Sequence, residues 1–193
     1  MNLIPDLEKA WINEKNSPEI FPFNETLVNE TQNQLNKQES FIFQQQSQNQ
    51  TPTFILNLYE TEIERIKFLL RSYLRIRLRK IEKFSSNIIN DSQIQSLLSE
   101  KEFQFVQKFH NLIINHLDES FLSKLKRKKN FFQNKIDQPD FEEFVACQVL
   151  EDIENVQFED QDLEDDDLKE GKLFIIKYKN IRSFVLEDKM KLL

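Results

Sequence analysis

A chain of 193 residues with 39% apolar content is long enough for one ordinary domain, or one plus a small second one, and can bury a real core. Eighteen phenylalanines exclude a disordered chain, while a net charge of −7 argues against a protein that sheathes nucleic acid over its whole surface. Gly171 is the only glycine and Cys147 the only cysteine, which removes the glycine-rich phosphate loops, dinucleotide turns, nucleophile elbows, intramolecular disulfides and cysteine zinc sites.

Leu3, Leu7 and Trp11 recur every four residues, with Pro5 suited to a first helical turn and Pro18 ending the run, which predicts a short amphipathic helix. From Glu25 to about Gln44 a sparse stripe of Val28, Leu35 and Ile42 predicts a second, mostly exposed helix. The polar run from Gln44 to Thr51 before Pro52 reads as a loop. Phe54 to Phe84 contains neither Gly nor Pro and predicts one long helix. On a wheel of about 100° per residue, Ile55, Tyr59, Ile63, Ile66, Leu70, Tyr73, Leu74, Ile81 and Phe84 share a face that Leu58, Leu69 and Ile76 widen. The resulting arc of roughly 200° is about twice that of a surface helix, so this helix needs cover on two sides, from its own chain or from a partner.

Ser99 and Glu102 have capping-box spacing ahead of Phe103, Val106, Phe109, Ile113 and Leu117, a fourth helix reaching about Phe121. The pattern then changes. Short β-like runs at Phe144–Leu150, Val156–Phe158, Leu173–Tyr178 and Lys189–Leu193 predict a small β-rich unit. The expected division is a helical region over 1–124, a basic and polar linker over 125–138, and a β-rich region over 139–193.

Arg71, Arg75 and Arg79 stack at i, i+4 on the polar face of the long helix, where a solvated, partly paired row competes with DNA contact. Arg77 falls inside the apolar arc, about 40° from Ile55 on the wheel, and must be paired or snorkel outward. Pairing with a carboxylate at a helix or subunit interface is expected, with Arg77→Glu abolishing assembly while helix content survives. Lys124, Lys126, Arg127, Lys128 and Lys129 place five basic residues in six, fit for nuclear import, DNA contact or plain solvation. Seven of the nine residues Glu159–Asp167 are acidic, but the run lacks the EF-hand order of ligands and turn glycine. His110 and His116, six apart on one helix, point different ways and make no two-ligand metal site. With no activated nucleophile and no isolated carboxylate pair, neither catalysis nor a cofactor is expected. The N-terminus has no basic then apolar leader, and nowhere do about 18 apolar residues run together, so export and membrane spanning are not expected either.

The segments L-E-K-A-W-I-N-E-K-N-S-P-E-I (Leu7–Ile20) and E-I-E-R-I-K-F-L-L-R-S-Y-L-R-I-R-L-R-K-I-E-K-F (Glu62–Phe84) resemble the Sld-five-type subunit of GINS. The resemblance continues through L-S-E-K-E-F-Q-F-V-Q-K-F (Leu98–Phe109), P-D-F-E-E-F-V (Pro139–Val145) and E-G-K-L-F-I-I-K-Y-K-N-I (Glu170–Ile181), in order over almost the whole chain. It implies a mainly α fold, a helical A domain followed by a small β-rich B domain. It also implies a noncatalytic nuclear scaffold assembled with three other GINS subunits, and through them with the MCM ring and its RecJ-like partner in the replicative helicase. ATP hydrolysis would belong to the ring and DNA contact would be indirect or weak. Direct DNA binding through the basic helix and linker is the alternative. The resemblance implies burial of the long helix against sister subunits, with Trp11, Ile63, Ile66, Leu70, Tyr73, Leu74, Arg75, Arg77, Leu78, Ile81 and Phe84 as the expected interface. The Gln-rich run and the basic run have no counterpart in that pattern, and a docking motif ahead of the A domain for a replisome adaptor is not evident.

Overall fold

The computed structural model describes residues 3–48, 52–120, 137–153 and 168–193. Six helices come first: α1 (Leu3–Asn16), α2 (Glu25–Gln48), α3 (Thr53–Lys83), α4 (Ser85–Asn90), α5 (Ser92–Gln95) and α6 (Glu100–Ser120). After them come β1 (Phe144–Val149), β2 (Leu173–Lys177), α7 (Tyr178–Leu186) and β3 (Met190–Leu192). The fold is mainly α, a helical bundle followed by a small sheet, as the sequence and the resemblance led us to expect.

Local chemistry fixes the helix ends. Asn24 caps α2, its side-chain carbonyl accepting from Leu27 N at 3.0 Å, and Asp91 accepts from Gln93 N at the start of α5. The capping box at α6 forms as its spacing predicts: Ser99 Oγ accepts from Glu102 N, and Glu102 Oε2 accepts in return from Ser99 N at 2.9 Å. With every heptad of α3 carrying apolar side chains, α1 and α2 lie along its first half. There Leu7, Leu27, Leu35 and Ile42 close over Leu56, Ile63, Ile66, Leu69 and Leu70. A second cluster gathers Ile81 and Phe84 at the far end of α3 with Ile20, Ile88 and Val106.

The sheet has the order β2-β1-β3, both pairings antiparallel, with Val145 opposite Ile176 and Cys147 between Phe174 and Leu192. Strand alternation turns Val145, Cys147 and Val149 inward, where Tyr178, Ile181 and Val185 of α7 cover them. Gly171, at φ +86° in the turn before β2, donates its N–H to Val149 O, a left-handed position where a side chain would be strained. Asp188 holds the other left-handed position, φ +63°, between α7 and β3, and Lys9 of α1 pairs with it at 2.9 Å.

Three elements differ from expectation. The run from Gln44 does not open into a loop; α2 continues to Gln48 because Ile42 is buried and Gln46 donates to Glu60 of α3 at 2.7 Å, with no Gly or Pro to stop it. The short helices α4 and α5 fold the chain between α3 and α6, where no periodicity announced them. The strand-like run ending at Tyr178 passes straight into α7, whose i, i+3, i+7 set of Tyr178, Ile181 and Val185 is too short to stand out by period. The expected strand Val156–Phe158, the acidic run and the linker as far as residue 136 lie outside the described residues. Truncating Leu7, fully buried where α1 meets α3, should cost about 2–5 kcal/mol in Leu7→Ala, measured by urea unfolding of the helical signal.

Candidate functional site

The dominant feature is a buried set of charges organised by residues 13–21, the last turn of α1 and the first part of its connection to α2. Arg77 projects from α3 with no exposed side-chain surface, and all five of its N–H donors are used. Nε and Nη2 make a bidentate pair with Glu102 at 2.7 and 3.1 Å. Nη1 reaches Glu14 Oε2 at 3.1 Å and Phe21 O at 2.7 Å, and Nη2 adds Leu97 O at 3.3 Å. The rings of Phe23 and Tyr73 stand 5.3 and 5.8 Å from the guanidinium carbon. A charge removed from water this completely is tolerated only with such compensation. Although burial works against the charge, the Glu102 hydrogen bonds and Glu14 outweigh it, holding the guanidinium above its ordinary pKa.

Lys80, one turn further along α3, shares Glu14. Its ammonium spends its three donors on Glu14 Oε1 at 3.0 Å, Ser17 Oγ at 2.8 Å and Glu19 O at 2.6 Å. Burial lowers its pKa, opposed in part by Glu14. The side chain of Glu19 turns the other way, toward α7. Oε1 accepts from Tyr178 Oη at 2.7 Å and Arg182 Nε at 2.6 Å, and Oε2 from Arg182 Nη2 at 2.9 Å. Desolvation, reinforced by the Glu19 charge, pushes the Tyr178 phenol far above the ordinary tyrosine range. Asn13 Oδ1 accepts from Leu192 N at 2.9 Å, tying α1 to β3.

These carboxylates are saturated by donors and fixed between elements, so the network holds shape and offers no free base or nucleophile. Cys147 is buried and its thiol is pushed up to about 12 by desolvation, far from a reactive thiolate. Among the described residues no group of three or more His, Cys, Asp or Glu is placed to hold a metal, and no helix is long and apolar enough to cross a membrane.

The expected interface residues sit mostly inside the chain. Ile63, Ile66, Leu70, Tyr73, Arg77, Ile81 and Phe84 are buried within the chain, with the edges of Ile63 and Ile66 reaching a surface groove. Trp11 is half-buried over the first cluster and donates Nε1–H to Ser72 Oγ at 2.9 Å; Leu74 and Leu78 are also half-buried, and Arg75 is exposed. Arg77 is paired with carboxylates as expected, but within one chain, so Arg77→Glu should act first on stability. The basic run Lys124, Lys126, Arg127, Lys128 and Lys129 lies outside the described residues.

The apolar surface that does remain is elsewhere. At the end of the α2/α3 pair, Phe41, Phe43, Phe54, Leu58 and Tyr59 are exposed, and Leu112, Ile113 and Ile114 are exposed on α6. Ile55 and Tyr59 continue the same face of α3 that buries Ile63 and Ile66, past the point where α1 stops covering it. A groove of about 420 Å³ opens there, lined by Ile4, Phe41, Ile42, Tyr59, Ile63 and Ile66 along with Gln38 and Glu62. The wheel marked Ile55, Leu58 and Tyr59 as apolar; it had no means of telling which part of the face α1 and α2 would cover.

This architecture, a helical bundle followed by a small sheet, is that of GINS complex proteins: residues 23–121 match the family described as "GINS complex protein helical bundle domain". Residues 139–193 match "DNA replication complex GINS protein SLD5 C-terminus", and the chain belongs to the Sld5 family. It is 32% identical to the DNA replication complex GINS protein SLD5 of Dictyostelium discoideum, over 100% of this chain and 92% of that one. With the SLD5 protein of Arabidopsis thaliana it shares 30% identity over 97% of this chain and 89% of the other, and with that of Homo sapiens 29% over 99% and 89%.

Replacing Arg77 by Glu puts a third carboxylate beside Glu14 and Glu102 and should cost at least about 3–5 kcal/mol, seen as loss of the cooperative urea transition. Arg77→Met, which removes the cation but restores bulk while Glu14 keeps Lys80 and Glu102 keeps Ser99, should cost less than the reversal. Tyr73 and Tyr178 both carry raised pKa values, from burial first. The folded chain therefore keeps phenolic protons that the unfolded chain releases above about pH 10, so their contribution is intact below that pH and is lost as pH rises beyond it. Phenolate absorbance in an alkaline titration should show both tyrosines ionising together with unfolding.

Proposed function

We propose that this chain is the Sld5-type subunit of a GINS complex and acts in DNA replication as a noncatalytic scaffold, joined with three sister subunits in the nucleus. The observation that carries the reading is the uncovered continuation of α3's apolar face, with its groove of about 420 Å³ between Ile4, Phe41 and Tyr59. Such a face on a charged protein is stable in water chiefly when another helix covers it. In this reading the interface runs through Phe41, Phe54, Ile55, Leu58 and Tyr59, flanked by the half-buried Trp11, Leu74 and Leu78, while the buried arginine and its acids keep that surface rigid. The MCM ring and its RecJ-like partner then meet the assembled complex, and ATP hydrolysis is left to the ring.

A second reading has one observation behind it. Arg71, Arg75 and Arg79 form an exposed row on α3, with Arg71 paired loosely to Glu64 at 3.8 Å, which suits contact with a phosphate backbone.

Coexpression with the three sister subunits, followed by size exclusion and light scattering, should give a 1:1:1:1 complex. Tyr59→Glu, which places a charge in the groove without touching the buried network, should weaken assembly by about 2 kcal/mol or more, roughly thirtyfold, and leave the unfolding midpoint of the chain unchanged. A stable monomer that ignores the sisters, with steeply salt-dependent DNA affinity, would favour the second reading instead.

A further inference from the structure

Three consecutive residues divide their allegiance between the bundle and the sheet. The backbone carbonyl of Glu19 belongs to the bundle, accepting from Lys80 Nζ at 2.6 Å and Ser17 Oγ at 2.7 Å, while its carboxylate belongs to α7. Ile20 packs with Ile81, Phe84 and Ile88 of the bundle. Phe21 packs against the core under the sheet, yet its carbonyl accepts from Arg77. Beside this crossing the two units do not close into an apolar wall. A cleft of about 520 Å³ separates them, with Phe84, Ile88 and Leu97 on one side and Pro139, Phe141 and Arg182 on the other. The Asn13–Leu192 hydrogen bond also ties them, as does the Lys9–Asp188 pair, whose aspartate side chain is 77% exposed and so weakly coupled.

We infer that Glu19 is the positioning residue that sets the angle of the C-terminal unit against the helical bundle, a polar latch closed on Tyr178 and Arg182 in place of an apolar seam. The geometry suits the role. The carboxylate is nearly buried, its side chain 9% exposed, and takes the planar fork of Arg182 on both oxygens while Tyr178 Oη donates a third bond. Arg182 is in turn braced over the Phe141 ring at 5.7 Å. Units that meet through polar contacts next to a cleft move relative to one another unless something specific fixes them. Because the bundle uses only the backbone of Glu19, removing its side chain releases the C-terminal unit and leaves the bundle's own bonds in place.

The test is a pulsed EPR distance measurement on the full chain, spin-labelled at Arg79→Cys on exposed α3 and Glu170→Cys ahead of β2; the buried Cys147 stays unlabelled. The parent protein should give one narrow distance distribution. Glu19→Ala should broaden it by about twofold or more while the helical unfolding transition holds. Arg182→Ala removes two of the three bonds from the exposed end, leaving Tyr178 on Glu19, and should reproduce most of the broadening, which decides the matter if Glu19→Ala does not fold. Glu19→Asp, which keeps the charge on a shorter arm, should restore part of the narrowing, as a loss of general stability would not. Glu8→Ala, which breaks only the surface pair with Arg65, should leave the distribution unchanged. Unaltered distributions in both Glu19→Ala and Arg182→Ala overturn the inference, as does broadening that appears only with loss of the helical transition.

Discussion

The structure depends on one guanidinium. Arg77 is a full positive charge in the middle of an apolar helix face, and the fold around it is the set of groups needed to make that tolerable. Glu102 is drawn in from the first turn of α6, Glu14 from the last turn of α1, and the carbonyls of Phe21 and Leu97 from the two irregular stretches between helices. Four segments distant in sequence are thereby set against one side chain. Apolar packing alone would permit α1 and α6 to slide or rotate on α3 at small cost; a buried cation with five directed donors does not. Glu102 illustrates the economy of the arrangement, since the carboxylate that caps α6 at Ser99 is also half of the arginine clamp.

From that centre the charges run outward in a relay. Arg77 shares Glu14 with Lys80, Lys80 holds the carbonyl of Glu19, and Glu19 grips α7. Residues 13–21 thus link the base of the bundle to the C-terminal sheet. At the end of the α2/α3 pair, away from the buried network around Arg77, Phe41, Phe43, Phe54 and Tyr59 stand uncovered. A fixed interior and an exposed apolar surface thus lie at different places along α3.

How much of this was legible in the sequence varies with the range of the interaction. Helices α1, α2, α3 and α6 follow from periodicity, Pro placement and the Ser99–Glu102 spacing, all of which act within a few residues. Arg77 was conspicuous because a charge inside an apolar arc demands a partner. Its partners were not readable, as Glu14 and Glu102 lie 63 and 25 residues away and look like ordinary surface acids on their own helices. The same blindness affected the interface. A wheel sorts residues by angle and says nothing of position along the axis, so Ile63 and Tyr73 ranked with Ile55 and Tyr59, although the first pair is buried and the second exposed. Helix α7 escaped notice because Leu173–Tyr178 reads continuously as strand, and only the turn of the chain over its own sheet gives Ile181 and Val185 a place to pack.

The bond between Asn13 and Leu192 joins residues 179 positions apart, and that separation bears on how the protein is made. During synthesis the bundle can assemble once α6 has emerged, with Arg77, Glu14 and Glu102 already in reach of each other. Asn13 and Glu19 must then wait for α7 and β3, holding their side chains toward solvent on a finished bundle. The strap formed by residues 13–21 is in this sense both an early and a late folding element, the Glu14 side chain and the carbonyls of Glu19 and Phe21 committed first, the side chains of Asn13 and Glu19 last. A nascent chain interrupted between the two events would carry a native bundle, an open strap and no sheet to fill it.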